Sequence, residues 1–375
     1  MSPLRRVGLL LVAVGCLWSC KEKAPDTPTP LPDPGLTWQV HEDFLFDRKI
    51  QLASYADSAI IILSGNRTTA IAPDPDRRST TDTTFVHFGG QAENNGRTDY
   101  RPLLHSTFFG FLYEGFVNLV PTTDPVLNYS NARLIMNQLD ADFASFATLP
   151  VDMGETMAAN QQNQFIVPYN VYDRRYATPV IDGNQTCLLL VSVTVPKAPY
   201  VALTIAKTQK IVLPASSGLR SVQRIGNNFI VSLSSGTYRI KPDGTYLKTY
   251  PYSLIRQFTT NETVYGLTNG GAGSLQLVAS TDQGNTWQTI ATDLPTNYSL
   301  LSYKQVQNQV IGVYNSQLFQ LTITPTTLST TELDNTGLYG NKITSVATYR
   351  NTVYVSTLSG VFTKPVRTFL TPKKS

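Results

Sequence analysis

The chain has 375 residues, with 30 Lys and Arg against 26 Asp and Glu, and a net charge of +4 gives it no electrostatic hold on nucleic acid. Hydrophobic residues at 41% and aromatic residues at 10% suffice for a buried core and exclude disorder over the whole length, although 15% charged residues is low for a soluble domain. Arg5 and Arg6 precede an apolar run from Val7 to Trp18. That run is shorter than the ~20 helical residues needed to cross a hydrocarbon layer, so residues 1–19 are expected to be a signal peptide. From Ala24 to Gly35 the chain is rich in proline, a composition that favours an extended tether rising about 3.1 Å per residue. Beyond Leu36 no second apolar run reaches the length of a spanning helix.

Leu17-Trp18-Ser19-Cys20 resembles the lipobox of bacterial lipoproteins, although Trp18 is bulkier than the usual residue and Ala13-Val14-Gly15-Cys16 offers a competing site. The resemblance implies diacylglyceryl transfer to the Cys20 thiol, cleavage before it and acylation of the new amino group. Residues 20–36 then form the lipidated cysteine and its tether. Two or more acyl chains hold a protein stably on a bilayer where one does not. Lys21-Glu22-Lys23 is similar to the export signal of surface lipoproteins in the Bacteroidetes group. The implied partner is therefore a lipid bilayer, and the implied location is the outer membrane of a bacterial envelope or its surface. Loss of Arg5 and Arg6 with the signal lowers the +4 by two. Cys16 leaves with the signal and Cys20 is acylated, so Cys187, in the apolar run Cys187–Val191, has no disulfide partner and is expected to be a buried structural thiol.

The remainder alternates short segments of Val, Ile, Tyr, Phe and Thr with Gly, Asn, Asp and Pro, the pattern of an all-β protein. Asn131–Thr148 differs: Ile135, Leu139, Phe143 and Phe146 fit one face of a short helix, or a strand followed by a loop. Asn227–Ser232 with Ser235–Tyr238, Asn351–Ser356 with Ser359–Phe362, and Asn308–Gly312 with Ser316–Phe319 share one internal spacing. Anchored on Phe229, Val264, Val310 and Val353, the steps are roughly 35, 46 and 43 residues, the length of a four-stranded propeller blade. Ile60, Phe109 and Phe165 anchor looser copies. The expected architecture is a β-propeller over residues 37–370 with seven four-stranded blades, six or eight being the alternatives, and a tail over 371–375. A pair of β-sandwiches is the competing arrangement.

Ser280-Thr281-Asp282-Gln283-Gly284-Asn285-Thr286-Trp287 resembles the Asp-box, or BNR repeat, of sialidases and other propellers. The resemblance implies a structural hairpin built by Ser280, Asp282, Gly284, Thr286 and Trp287. The carboxylate accepts backbone N–H bonds, Gly284 takes a positive φ, and Trp287 packs beneath. Lys241–Tyr246 reads as a degenerate relative.

A sialidase would further require an early Arg-Ile-Pro context and a tyrosine paired with a glutamate. The nearest string, Tyr238-Arg239-Ile240-Lys241-Pro242, lies mid-chain, and Glu93, Glu114, Glu155, Glu262 and Glu332 sit in no such context. No catalytic residue is assigned. His41, His87 and His105 fall in no zinc spacing, Asp74-Pro75-Asp76 lacks the further oxygens of a calcium loop, and neither metal nor cofactor is expected. Tyrosine and arginine gather in two polar stretches, Arg77, Arg78, Tyr100 and Arg101, then Tyr172, Arg174, Arg175 and Tyr176. These residues are the candidate recognition loops. The expected function is that of a non-catalytic, lipid-anchored envelope propeller binding a protein or a glycan. The alternatives are a carbohydrate-active hydrolase or lyase, and an assembly or scaffold factor for envelope complexes.

Overall fold

The computed structural model describes residues 37–44, 49–55, 59–64, 68–73, 82–87, 102–105, 107–113, 115–121, 132–147, 157–171, 186–195, 203–213, 218–271, 273–338 and 340–374. The expected signal, Cys20 and the tether lie outside them. Chain order gives β1 (Gln39–Val40), then a sheet of β2 (Lys49–Tyr55), β3 (Ala59–Ser64), β4 (Thr68–Pro73) and β5 (Asp82–His87). The second sheet holds β6 (Pro102–Leu104), β7 (Phe108–Tyr113), β8 (Phe116–Pro121) and β9 (Ala132–Ile135). In the third, β10 (Phe143–Phe146) and β11 (Ala158–Ala159) both pair with β12 (Gln164–Val171), which β13 (Thr186–Thr194) and β14 (Thr204–Val212) follow.

The fourth sheet runs β15 (Leu219–Ile225), β16 (Asn228–Leu233), β17 (Gly236–Ile240), β18 (Tyr246–Tyr250). The fifth runs β19 (Arg256–Thr260), β20 (Thr263–Thr268), β21 (Leu275–Ser280), β22 (Gln288–Leu294). The sixth runs β23 (Ser302–Val306), β24 (Gln309–Tyr314), β25 (Gln317–Ile323), β26 (Leu328–Glu332). The last is β27 (Ile343–Tyr349), β28 (Thr352–Thr357) and β29 (Gly360–Pro365), with β1 as its outer strand. All pairings are antiparallel, as up-and-down blades of a propeller require.

Side chains explain why the blades stack. Alternate residues of β16 point to opposite neighbours: Phe229, Val231 and Leu233 pack with Ile166, Leu188 and Leu190 of the third sheet, whereas Ile230 packs with Val264 and Val278 of the fifth. Both faces of the strand are buried, and its centre, Phe229–Val231, accordingly reads as an apolar run. Ile311 and Val313 of the sixth sheet meet Val346 and Val353 of the last. Tyr349 and Tyr354 of the last sheet meet Ile60 and Ile62 of the first.

Every sequence anchor, from Ile60 to Val353, falls on the second strand of its sheet. Four-stranded blades are observed, and the expected count of seven is corrected to five, with two further hydrogen-bonded four-stranded sheets. Anchor spacing marks second strands and says nothing of how sheet faces meet.

The ends of the fold are joined by β1, where Gln39 pairs with Thr363 and Val40 with Phe362. Trp38 donates its backbone N–H to Thr336 and sets its ring edge-on to Phe369 at 5.9 Å. Gly337, at φ +103°, lies so near Trp38 that a Cβ there would sit 2.5 Å from the Trp38 carbonyl oxygen. Thr371 to Lys373 continue into the sixth sheet, where Lys373 donates its N–H to Glu332 and its ammonium lies 2.9 Å from the Glu332 carboxylate.

Asn131–Thr148 forms no amphipathic helix. Strand β9 leads into a single helical turn, Met136–Leu139, and then β10; Ile135 and Leu139 are exposed, while Phe143 is buried. The 3.6-residue pattern was met by residues on separate elements. Among the described residues, no helix is long and apolar enough to cross a membrane.

Candidate functional site

The expected recognition residues Arg77, Arg78, Tyr100, Arg101, Tyr172, Arg174, Arg175 and Tyr176 lie outside the described residues, as do Asp74, Asp76, Glu93, Glu114 and Glu155. Cys187 is fully buried on β13, and burial raises its thiol pKa. Its neighbours form a polar pin. Tyr169, paired with Cys187 across the sheet, donates its hydroxyl to the Asp140 carboxylate at 2.7 Å, and Lys210 reaches the same oxygen at 2.7 Å. His105 is 9% exposed beside Thr107 and Phe108; burial foremost, then the charge of Arg224, lowers its pKa.

The turn from Ser280 to Trp287 joins the third and fourth strands of the fifth sheet and is organised by one carboxylate. Asp282 Oδ1 accepts the N–H of Asn285 at 3.1 Å, the N–H of Thr286 at 2.9 Å and the Ser280 hydroxyl at 2.8 Å, and Oδ2 accepts the Thr286 hydroxyl at 2.7 Å. The Thr286 N–H above all pulls the Asp282 pKa down to about 2. Gly284, at φ +83°, donates to Ser280 and lies over Ile230, where an added Cβ would sit 2.1 Å from Cδ1. The turn is also fastened to the fourth sheet. Asn228 donates to Gln283, Arg239 donates to Asn285, and Trp287 packs against Tyr250 while its indole N–H reaches Thr249. The sequence relative at Lys241–Tyr246 holds Asp243 against the N–H and hydroxyl of Thr245 at 2.9 and 2.7 Å. Ser280, Asp282, Gly284, Thr286 and Trp287 thus act within the scaffold.

A cavity of about 630 Å³ opens between the first strands of the fourth, fifth and sixth sheets, β15, β19 and β23. Its rim includes the hairpin tips Gly226–Asn227 and Asn261–Glu262 together with Thr281 and Gln283 of the Asp282 turn. First-to-second and third-to-fourth turns share one end of an up-and-down blade, so the cavity lies toward that end. Arg220, Arg224, Arg256 and Lys304 line it, and Glu262 is the carboxylate among the lining residues. The ion pairs Lys210–Asp140 and Lys373–Glu332 use no cavity cation.

Arg256 is 8% exposed; its Nε donates to the Leu301 carbonyl at 3.3 Å and its Nη1 to that of Ile255 at 3.0 Å. Burial lowers its pKa, and these carbonyls supply the acceptors that a buried guanidinium requires. Arg220 donates to the Ser234 hydroxyl at 3.2 Å, Lys304 is half-buried and Arg224 is exposed. Gln257 bridges blades by donating to the Ser221 hydroxyl, which donates in turn to the Leu254 carbonyl, both at 2.7 Å. Phe258 lies between Tyr265 and Tyr303, with ring centroids at 5.3 and 4.6 Å. Asn261 and Glu262 both take positive φ, +48° and +61°, in the two-residue turn after β19. Glutamate is an uncommon residue in that conformation.

Of the charged residues on this wall, the sequence singles out Glu262 alone, as one of five glutamates without context. The available signal was register: once Phe229, Val264 and Val310 are placed on second strands, counting back across each turn puts Arg224, Arg256 and Lys304 on the first strands that line a propeller axis.

No protein-family model matches the chain, and no curated protein matches it. Among solved structures, a chain of the mitotic checkpoint complex is similar, with a TM-score of 0.52 and 9% identity, over 92% of this chain and 97% of that one. PorZ, a bacterial surface component of the type-IX secretion system of Porphyromonas gingivalis, gives 0.46 and 9% identity over 90% of this chain. The extracellular domain of BT4673, a one-component system of B. thetaiotaomicron, gives 0.47 and 10% identity over 91%. The chain spans 39% of the PorZ chain and 44% of the BT4673 chain. At these identities the likeness concerns the fold.

Proposed function

We propose that this protein is a non-catalytic binding propeller of the bacterial envelope and that its partner, a protein or a glycan, is received at the open end of the cavity between β15, β19 and β23. The observation that carries the proposal is the make-up of that wall: four cations and several amides face a space of about 630 Å³, with a single carboxylate, Glu262, among the described lining. A cavity of this size on rigid strands, bearing a few convergent polar groups, is the usual form of a ligand site. Glycoside hydrolysis by a carboxylate pair would require a second acid opposite Glu262. Display at the membrane through acylated Cys20 is supported by Leu17-Trp18-Ser19-Cys20 and the proline-rich tether that follows. The Ser280–Trp287 turn, read as an Asp-box, fastens one blade to the next and contributes Thr281 and Gln283 to the cavity rim.

The test is a glycan array and a turnover screen, run on the wild-type chain and on Arg224→Glu. Binding without turnover, lost in Arg224→Glu, is the expected result. Turnover of any array glycan, or binding indifferent to Arg224→Glu, contradicts the proposal. For the anchor, Cys20→Ala is expected to release the protein from membranes and change its N-terminal mass.

A further inference from the structure

We infer that the cavity takes an acidic glycan, a sugar bearing a carboxylate, with Arg224 and Lys304 as its anion contacts; this deepens the binding role proposed above and rests on it. Charge is the first argument. Four cations against one carboxylate leave the wall with a surplus of positive charge, and the ion pairs among the described residues neutralise none of it. A low-dielectric cleft focuses such a field and concentrates anions within it.

The second argument is that the fold does not require a charge at the registers of Lys304 and Arg256. Counted back from the first turn of each blade, the third pair of the ladder holds Gln223, Phe258, Lys304 and Ala347 in β15, β19, β23 and β27. The fifth holds Ser221, Arg256, Ser302 and Ser345. Serine and alanine therefore serve where arginine and lysine stand on the cavity, and at Ser221 one hydroxyl suffices to reach the next blade at Leu254.

The third argument is the kind of polar group around the cations. The amides of Gln161, Gln223, Gln305 and Asn261 line the same space. Each amide can both donate to and accept from a hydroxyl, the pairing that ring hydroxyls of a sugar require and an apolar ligand cannot use. The volume suits one or two sugar rings more than a folded protein segment.

The test is calorimetric titration of the full chain with trigalacturonate and with galactotriose, sugars that differ chiefly in the carboxylate. Acetate and inorganic phosphate serve as small-anion controls. Trigalacturonate is expected to bind, and galactotriose to bind at least about 100-fold more weakly. Arg224→Gln and Lys304→Gln are each expected to lower trigalacturonate affinity about 10-fold, with melting unchanged for the exposed Arg224→Gln. Raising salt from about 50 to about 500 mM should weaken binding further.

Equal binding of the two sugars, equal affinity in both variants, or no binding of trigalacturonate overturns the inference. Acetate or phosphate binding as tightly as the trimer also overturns it, since the site is then for a bare anion. A neutral glycan or a protein partner that binds and depends on Arg224 removes the acidic-sugar assignment and leaves the binding role standing. Turnover of the sugar removes both.

Discussion

Strand β19 and strand β27 occupy the same place in their blades, next to the axis and ahead of a two-residue turn, yet they solve it with different chemistry. In β27 the positions are small or apolar: Ser345, Val346 and Ala347 are all buried, and Val346 packs into the core shared with the sixth sheet. In β19 the same register carries Arg256, Gln257 and Phe258, and the buried guanidinium is satisfied by two backbone carbonyls. The ring closes with either set. What β19, with β15 and β23, gains is a cationic wall around open space, and a fold that tolerates serine there had no need of it.

Transplanting the charge should have the largest effect. Ser345 is 2% exposed and does not line the cavity between β15, β19 and β23, so Ser345→Arg would bury an uncompensated cation and is expected to destabilise by about 3–5 kcal/mol in chemical denaturation. A loss under about 1 kcal/mol would mean that β27 has room for a guanidinium and that the contrast is one of sequence alone. The reverse exchange, Arg256→Ser, removes donors from Leu301 and Ile255 but installs the residue used at Ser221, Ser302 and Ser345. It should cost less, about 1–3 kcal/mol, and should weaken ligand binding by removing positive charge from the wall.

A third variant sharpens the division between scaffold and site. Asp282→Ala removes the acceptor of two backbone N–H groups, and a loss of about 1–2 kcal/mol is expected, with ligand affinity falling less than in Arg224→Gln because the turn gives the cavity only its rim. Because the folded pKa of Asp282 lies below the ordinary aspartate value, its contribution is complete above about pH 4. It is lost as pH falls through about 2. The difference in melting temperature between wild type and Asp282→Ala should therefore shrink on acidification, and a difference that grew instead would reverse the assignment. Asp243, whose carboxylate accepts from the N–H and hydroxyl of Thr245 and fastens no neighbouring blade, should show a smaller effect than Asp282. Smallest of all, Arg224→Ala should change stability by no more than about 0.5 kcal/mol while lowering affinity, since the side chain is exposed.

Much of the scaffold could be read from the residues. Second strands are buried on both faces, so Phe229–Val231 and Val353–Val355 stand out as apolar runs, and the shared Ser-Gly turn fixes their spacing. The Asp282 turn was equally legible, because a local hydrogen-bond pattern needs particular residue types at fixed offsets. The cavity was not. Its wall is assembled from residues about 30 to 80 positions apart in sequence, from Arg220 to Lys304, and first strands carry a mixed burial pattern without periodicity. Tyrosine and arginine cluster more conspicuously in the polar stretches around Arg77 and Arg174, which lie outside the described residues. Of the two readings of Asn131–Thr148, a short helix or a strand followed by a loop, the strand is found at β9, and apolar residues on β9, one helical turn and β10 mimic a single helical face.

The central claim is that the partner is received between β15, β19 and β23, and the most direct measurement is a crystal structure of the full chain grown with trigalacturonate. The account predicts density for the sugar in this cavity, with its carboxylate within hydrogen-bond distance of Arg224 or Lys304. Sugar density elsewhere on the propeller, with the cavity holding solvent alone, would contradict it.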